Sequence, residues 1–181
     1  MKIFQKNLMV SEDVKANLGT GVYYENDAEA PIHDGALVEI GDIMDHTVYA
    51  GMKDANVRKI TAPTAGAKRL AIVDYVNRSH GNIMGVEYRE GVKTAGLSAE
   101  KGEQVRYRIP GLNDTFWLGD ENFSEVPTEG AYATVTEGDT IWTVAAEAPA
   151  EGLAVKIENI EPLTEGTVNT GKLYFCTVIS L

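Results

Sequence analysis

Apolar and polar residues alternate in short runs along most of this chain, and turn-forming residues separate the runs. Successive side chains of a β-strand point to opposite faces, so a period of two residues is typical of strands. Many of the runs are also rich in β-branched residues, which favour strands. We therefore predict strands at residues 36-42, 46-51, 57-62, 69-76, 83-89, 103-109, 115-119, 131-136, 140-144, 153-160 and 172-179.

A repeated local sequence marks the predicted turns. Thr-Glu-Gly occurs at residues 128-130, 136-138 and 164-166, and Ala-Glu-Gly occurs at 150-152. Glycine adopts the positive φ that hairpins and bulges require. Short strands separated by such turns predict an all-β fold, with one or more β-sandwich or barrel-like lobes.

The start of the chain differs from the rest. Residues 1-34 show little periodicity, so we predict an extended N-terminal arm there. We divide the chain into an arm with the first strand at 1-47, a β lobe with a basic surface at 48-128, and an acidic C-terminal β lobe at 129-181. The last boundary rests on Pro, Gly and a change of charge, so the two lobes can also form one continuous domain.

The last predicted strand, KLYFCTVI, is apolar on both faces. Alternation places Tyr174, Cys176 and Val178 on one face and Phe175 on the other. We predict a central strand, covered on one face by its own lobe and on the other by a second sheet or a sister subunit. Tyr174, Phe175 and Val178 are therefore candidate subunit-interface residues. Cys176, the only cysteine, is predicted to be a small buried hydrophobe.

Charge is distributed unevenly along the chain. The net charge is −11, with 3 basic and 9 acidic residues in 1-52, 11 and 6 in 53-110, and 2 and 12 in 111-181. A nucleic-acid surface needs a strongly basic face, so the overall charge argues against nucleic-acid binding. A solvated strand face is the simpler explanation of the basic middle segment, and docking on an acidic partner is the alternative. Apolar runs long enough for a signal peptide or a membrane helix do not occur, so we expect a protein made in the cytoplasm that does not bind membranes.

The densest set of residues that could bind a metal comprises His33, Asp34, Asp42, Asp45 and His46. Imidazole and carboxylate ligands suit a divalent cation that activates water. The spacing matches no established metal motif, and Asp42 and His46 flank a predicted turn, where such residues have structural roles. We therefore predict no catalytic residue, cofactor or metal.

Two tryptophans lie in short predicted strands. Trp117 and its neighbour Phe116 are predicted to point to opposite faces of their strand. Trp142 lies between an isoleucine and a threonine. Sugar-binding modules use exposed aromatic side chains as platforms. A tryptophan in a short strand is more often part of a core or a subunit interface, which is the interpretation we favour.

Several segments resemble a known class of proteins. VYAGMKDANVRKITAPTAGAKRLAIVDYV at 48-76 contains a short strand, a TAP turn and an apolar strand. Together with 94-109, 116-135 and 152-179, it resembles small virion structural proteins of tailed double-stranded DNA phages of Gram-positive hosts. The resemblance implies a non-enzymatic head protein that binds the major capsid protein and stabilises the shell as decoration or cement. It also implies a homo-oligomer, with a trimer favoured, located on the capsid surface after synthesis in the bacterial cytoplasm.

On this interpretation, the basic middle segment supplies the capsid contacts. The candidate residues are Lys53, Arg58, Lys59, Lys68, Arg69, Arg89, Arg106 and Arg108. One alternative is a host-surface or carbohydrate-binding β module of a head fibre or tail, which an exposed Trp117 or Trp142 would favour. A weaker alternative is a metal-dependent hydrolase that uses the cluster around His33.

Overall fold

A computed structural model describes residues 2, 4-9, 17-45, 53-75, 81-83, 86-88, 98-165 and 168-181. Its described residues are almost entirely strands and turns, which confirms the predicted all-β class. A 3₁₀ turn covers Asp120–Asn122. The strands are β1 Phe4–Leu8, β2 Leu18–Glu25, β3 Ala28–Glu29, β4 Ile32–His33, β5 Leu37–Asp45, β6 Lys53–Thr61, β7 Leu70–Asp74, β8 Gly81–Ile83, β9 Val86–Tyr88, β10 Ser98–Ala99, β11 Val105–Arg108, β12 Thr115–Gly119, β13 Tyr132–Thr134, β14 Thr143–Ala145, β15 Ala154–Glu165 and β16 Val168–Ser180.

The C-terminal strands and β1 form one six-stranded antiparallel sheet, which we call the C-terminal sheet. Its order is β1-β12-β16-β15-β13-β14, so β16 is a central strand, as predicted. The turns that connect its strands contain Gly130, Gly138 and Gly152, with φ values of 85°, 77° and 84°. These three glycines confirm the positive φ predicted from the repeated Glu-Gly sequence.

The middle of the chain forms a closed barrel. Strands β11, β7, β5, β6 and β2 pair in that order, and β2 also pairs with β11, which closes the ring. Strand β2 runs parallel to β6, and the other neighbouring pairs of the ring are antiparallel. Strand β3 extends the barrel wall as a hairpin from β2. Closure leaves the ring without an exposed strand edge, which protects it from pairing with other chains.

Strands β5 and β7 form a wall shared by two hydrophobic cores. Leu37 and Ile72 point out of the barrel and pack with the core side chains of the C-terminal sheet. Their neighbours Val38, Ala71 and Val73 point into the barrel. All five side chains are fully buried, because each strand has apolar neighbours on both of its faces. A run that is apolar on both faces, such as residues 70-73, is the sequence signature of such a wall.

The N-terminal segment differs from the predicted extended arm. Strand β1 pairs with β12 at the edge of the C-terminal sheet, and residues 18-45 contribute β2 to β5. The apolar alternation of β2 is missing from the sequence because Gly19 and Gly21 occupy two of its inward positions. The side chains of Tyr107 and Ile60 fill the space beside these glycines. The predicted strand at 46-51 lies outside the described residues.

Candidate functional site

Asp34, which we considered as a metal ligand, is fully buried and joins three parts of the chain. Its Oδ2 accepts a hydrogen bond from the backbone N–H of Phe4 at 2.9 Å, and its Oδ1 accepts one from Tyr75 at 2.8 Å. The backbone carbonyl of Asp34 accepts a hydrogen bond from Asn122 Nδ2 at 2.8 Å. The carboxylate therefore connects β1, the β4–β5 turn and the end of β7.

Both ring nitrogens of His33 lie within hydrogen-bonding distance of protein oxygens. Its Nδ1 lies 3.1 Å from the Asp34 carbonyl oxygen, and its Nε2 lies 3.4 Å from Thr140 Oγ1. Burial lowers the pKa of His33 to about 4, so the ring is neutral at pH 7. A neutral ring matches this pattern, with Nδ1–H donating and Nε2 accepting.

The other members of the predicted metal cluster do not join Asp34. Asp42 and Asp45 are exposed, and Asp45 forms an ion pair with Lys53 at 2.6 Å. His46 lies outside the described residues. Within the part of the chain that the structure describes, no group of three or more His, Cys, Asp or Glu side chains is placed to hold a metal ion.

The prediction that Arg108 contacts the capsid is wrong, because its side chain is buried. Only 2% of the residue is exposed, and its Nε donates to Asp74 Oδ2 at 2.6 Å. Arg106 Nη2 lies 2.8 Å from the same carboxylate oxygen. Asp74 is itself buried, and the two guanidinium groups offset the free-energy cost of burying its charge. A lone acidic residue within the apolar strand LAIVD was the sequence signal for such a pair.

Two more of the predicted capsid contacts already have acidic partners. Besides the Lys53 pair, Lys59 Nζ lies 2.8 Å from Asp27 and 4.9 Å from the centre of the Tyr24 ring. Exposed ion pairs of this kind contribute little to stability, but they reduce the charge available to a partner. Arg89 lies outside the described residues.

Two of the remaining predicted contacts are arginines of the barrel: Arg58 lies within β6, and Arg69 directly precedes β7. Arg58 and Arg69 both act on the pKa of Tyr107: burial raises it, and the two positive charges oppose that rise. We call Arg58, Arg69 and the Tyr107 side chain the basic mouth. Arg58 Nη1 donates to the Gly41 carbonyl at 3.2 Å, and neither arginine has an acidic partner within 4 Å among the described residues.

A groove lies between the barrel and the C-terminal sheet, next to Arg69. Its volume is about 330 Å³. It is lined by Ala67, Lys68, Leu70, Ile109, Pro110, Gly152, Leu153 and Leu181. Lys68 is exposed and has no acidic partner within 4 Å among the described residues. The lining comes from four separate segments of the chain, so no local pattern in the sequence could have predicted this groove.

The outer face of the C-terminal sheet carries an aromatic pair. Trp117 and Phe175 are half-buried on adjacent strands, with ring centroids 4.8 Å apart. Tyr174 and Val178 point to the opposite face and are fully buried in the core of their own chain. Of the three predicted interface residues, only Phe175 is therefore accessible to a partner. Trp142 is fully buried in the same core.

Comparisons with known proteins found no match to any family model, curated protein or solved structure. The resemblance to phage virion proteins therefore rests on the residues of this chain alone. Among the described residues, no helix is long and apolar enough to cross a membrane.

Proposed function

We propose that this chain is a non-enzymatic structural protein of a tailed phage virion, which binds the capsid surface as a homo-oligomer and stabilises the head. The observation that carries the proposal is that the two cations of the basic mouth, Arg58 and Arg69, have no acidic partner within 4 Å among the described residues. Most of the other predicted contacts are paired or buried. An unpaired positive surface on a chain with a net charge of −11 fits a specific acidic partner better than general adhesion.

Attachment would act on the shell through thermodynamic linkage. A protein that binds only the mature shell stabilises it by several kcal/mol per site when its concentration greatly exceeds the Kd. The basic mouth would steer the protein to acidic capsid side chains and set the orientation of docking. An interface of roughly 1,200–2,000 Å² is typical of stable attachment.

Co-sedimentation with purified empty phage heads tests this proposal. The wild-type protein should sediment with the heads at low salt and less well at high salt, because salt screens charge interactions. Arg69→Glu should abolish binding. Lys53→Glu is the matched control, because Lys53 is exposed but already paired with Asp45. No co-sedimentation at any salt concentration, or equal binding by Arg69→Glu, would contradict the proposal.

A second candidate function is carbohydrate binding on a host surface, and the position of Trp117 favours it. Trp117 and Phe175 are partly exposed on the same sheet face, with the amide side chains of Gln5 and Asn159 at neighbouring register positions. Aromatic faces and amides are the groups that bind sugars. Retention of the wild-type protein, but not of Trp117→Ala, on cell-wall polysaccharide would support this function over capsid attachment.

The metal-dependent hydrolase is the weakest of the three interpretations. Asp34 would have to release backbone hydrogen bonds to Phe4 and Tyr75 before it could bind a metal. Buried N–H groups left without acceptors carry a large free-energy penalty. Metal binding at Asp34 would therefore destabilise the fold.

A further inference from the structure

The apolar groove beside Lys68 is open to a partner and has a definite chemistry. Leu70, Ile109, Leu153 and Leu181 provide apolar walls around a volume of about 330 Å³. A pocket of this size is at the small end of the range for specific ligand sites. The exposed ammonium group of Lys68 adds one positive charge to the lining. The groove therefore fits an apolar side chain with a carboxylate next to it.

A loop on the same chain has the complementary chemistry. In residues 124-130, Val126 is 68% exposed and lies between two exposed glutamates, Glu125 and Glu129. Backbone hydrogen bonds hold both ends: Ser124 N–H donates to the Trp142 carbonyl at 2.8 Å, and Gly130 N–H donates to the Ile157 carbonyl at 2.8 Å. We call this segment the acidic loop. Because both ends of the loop are held, the backbone around Val126 loses little conformational entropy when it binds a partner.

We propose that the acidic loop of one copy of this chain binds the groove of a second copy. Val126 enters the apolar groove, and Glu125 or Glu129 pairs with Lys68. Val126 does not line the groove of its own chain, so the two complementary surfaces are separate. The charge match is local, because two copies with a net charge of −11 each repel one another elsewhere.

The form of the contact predicts the form of the assembly. Because the loop and the groove are different surfaces, the contact is head-to-tail, and such contacts produce closed rings when the rotation between copies permits. A three-membered ring would match the oligomer favoured for a capsid decoration protein. This inference rests on the homo-oligomer of the proposed function and deepens it, and its test is separate because self-association can be measured without any capsid.

The test is the mass of the purified full chain, measured by analytical ultracentrifugation over a concentration series. The wild type should form a discrete oligomer. Val126→Asp and Lys68→Glu should each raise the concentration needed for association by about tenfold or more, as expected for a central contact. Leu112→Asp is the matched control, because Leu112 is 57% exposed on a different loop and should have no effect. Far-ultraviolet circular dichroism should show wild-type folding for each variant.

Mixing the variants tests the head-to-tail geometry. Val126→Asp retains an intact groove and Lys68→Glu retains an intact loop, so an equimolar mixture should form a heterodimer that cannot grow further. Combining Lys68→Glu with Glu125→Lys and Glu129→Lys in one chain should restore the oligomer by reversing both charges.

Three results would overturn the inference: a monomeric wild type at all concentrations, unchanged association in Val126→Asp, or no heterodimer in the mixture. Loss of capsid binding with intact association would reject only the proposed function. Intact capsid binding by a monomer would reject the self-association and the homo-oligomer of the proposed function, but not the attachment to the capsid.

Discussion

Replacing Asp34 with asparagine tests whether this residue holds the fold together. The Asp34 carboxylate accepts backbone hydrogen bonds from Phe4 and Tyr75 at 2.9 and 2.8 Å in a fully buried site. Asparagine has the same shape, but one acceptor oxygen becomes an NH₂ group that faces a backbone N–H. A buried hydrogen bond to a charged acceptor contributes about 1.5–3 kcal/mol, and the N–H left unpaired adds a desolvation penalty. We therefore expect Asp34→Asn to lower the free energy of unfolding by about 3 kcal/mol.

Urea unfolding at pH 7 measures this change, provided that the m-value stays constant. For a chain of this size, about 3 kcal/mol corresponds to a decrease in Tm of roughly 6–12 °C. Asp42→Asn is the control, because Asp42 is an exposed carboxylate on the neighbouring strand β5 and its loss should change stability by less than about 0.5 kcal/mol. A loss of less than about 0.5 kcal/mol in Asp34→Asn would refute the structural role that we assign to this carboxylate.

Three further predictions concern the cores and their turns. Gly35 has a φ of 73°, and a Cβ there would lie 2.6 Å from Asn122 Nδ2, so Gly35→Ala should cost about 2–4 kcal/mol in thermal unfolding. Gly66→Ala, with a φ of 70° and open space, should cost only about 1 kcal/mol, and equal costs would contradict the steric argument. The pKa of His33 is about 4 in the folded chain and 6.5 ordinarily, so the unfolded state takes up the proton first as the pH falls. Wild-type stability should therefore decline from pH 6.5 toward 4 relative to His33→Gln, and a constant difference between the two would refute this linkage. Burial raises the pKa of the Cys176 thiol, so a thiol reagent should label it only in denaturant; rapid labelling of the native protein would show that the C-terminal sheet opens.

The structure separates residues that stabilise the fold from residues available to a partner. Asp34, Asp74 and Arg108 are charged but buried, and each is held by specific hydrogen bonds or ion pairs. Arg69 belongs to the basic mouth and Lys68 lines the groove, and both residues are exposed. Both proposals therefore depend on cations that the fold itself does not need, which is why their variants are expected to fold.

Local pattern alone predicted most of the described strands from β5 onward. Short apolar runs bounded by turn residues identified strands such as β7 and β16, because the apolar side chains of each strand pack into a core. The Glu-Gly turns were predictable because only glycine adopts positive φ without strain. Alternation also fixed which residues of the last strand share a face. Tyr174 and Val178 point to one face and Phe175 to the other, so the three cannot belong to one flat interface.

The tertiary structure decided everything that depends on segments far apart in the sequence. Pairing of β2 with β11 closes the barrel across more than 80 positions, and no local pattern specifies that pairing. The arm prediction was wrong for residues 18-34 because glycines of β2 face side chains that come from other strands. Composition located the basic segment, but only the fold showed that Arg108 is buried against Asp74 while Arg69 is exposed. Strand identity is a property of neighbouring residues, whereas burial, pairing and grooves arise from contacts between distant ones.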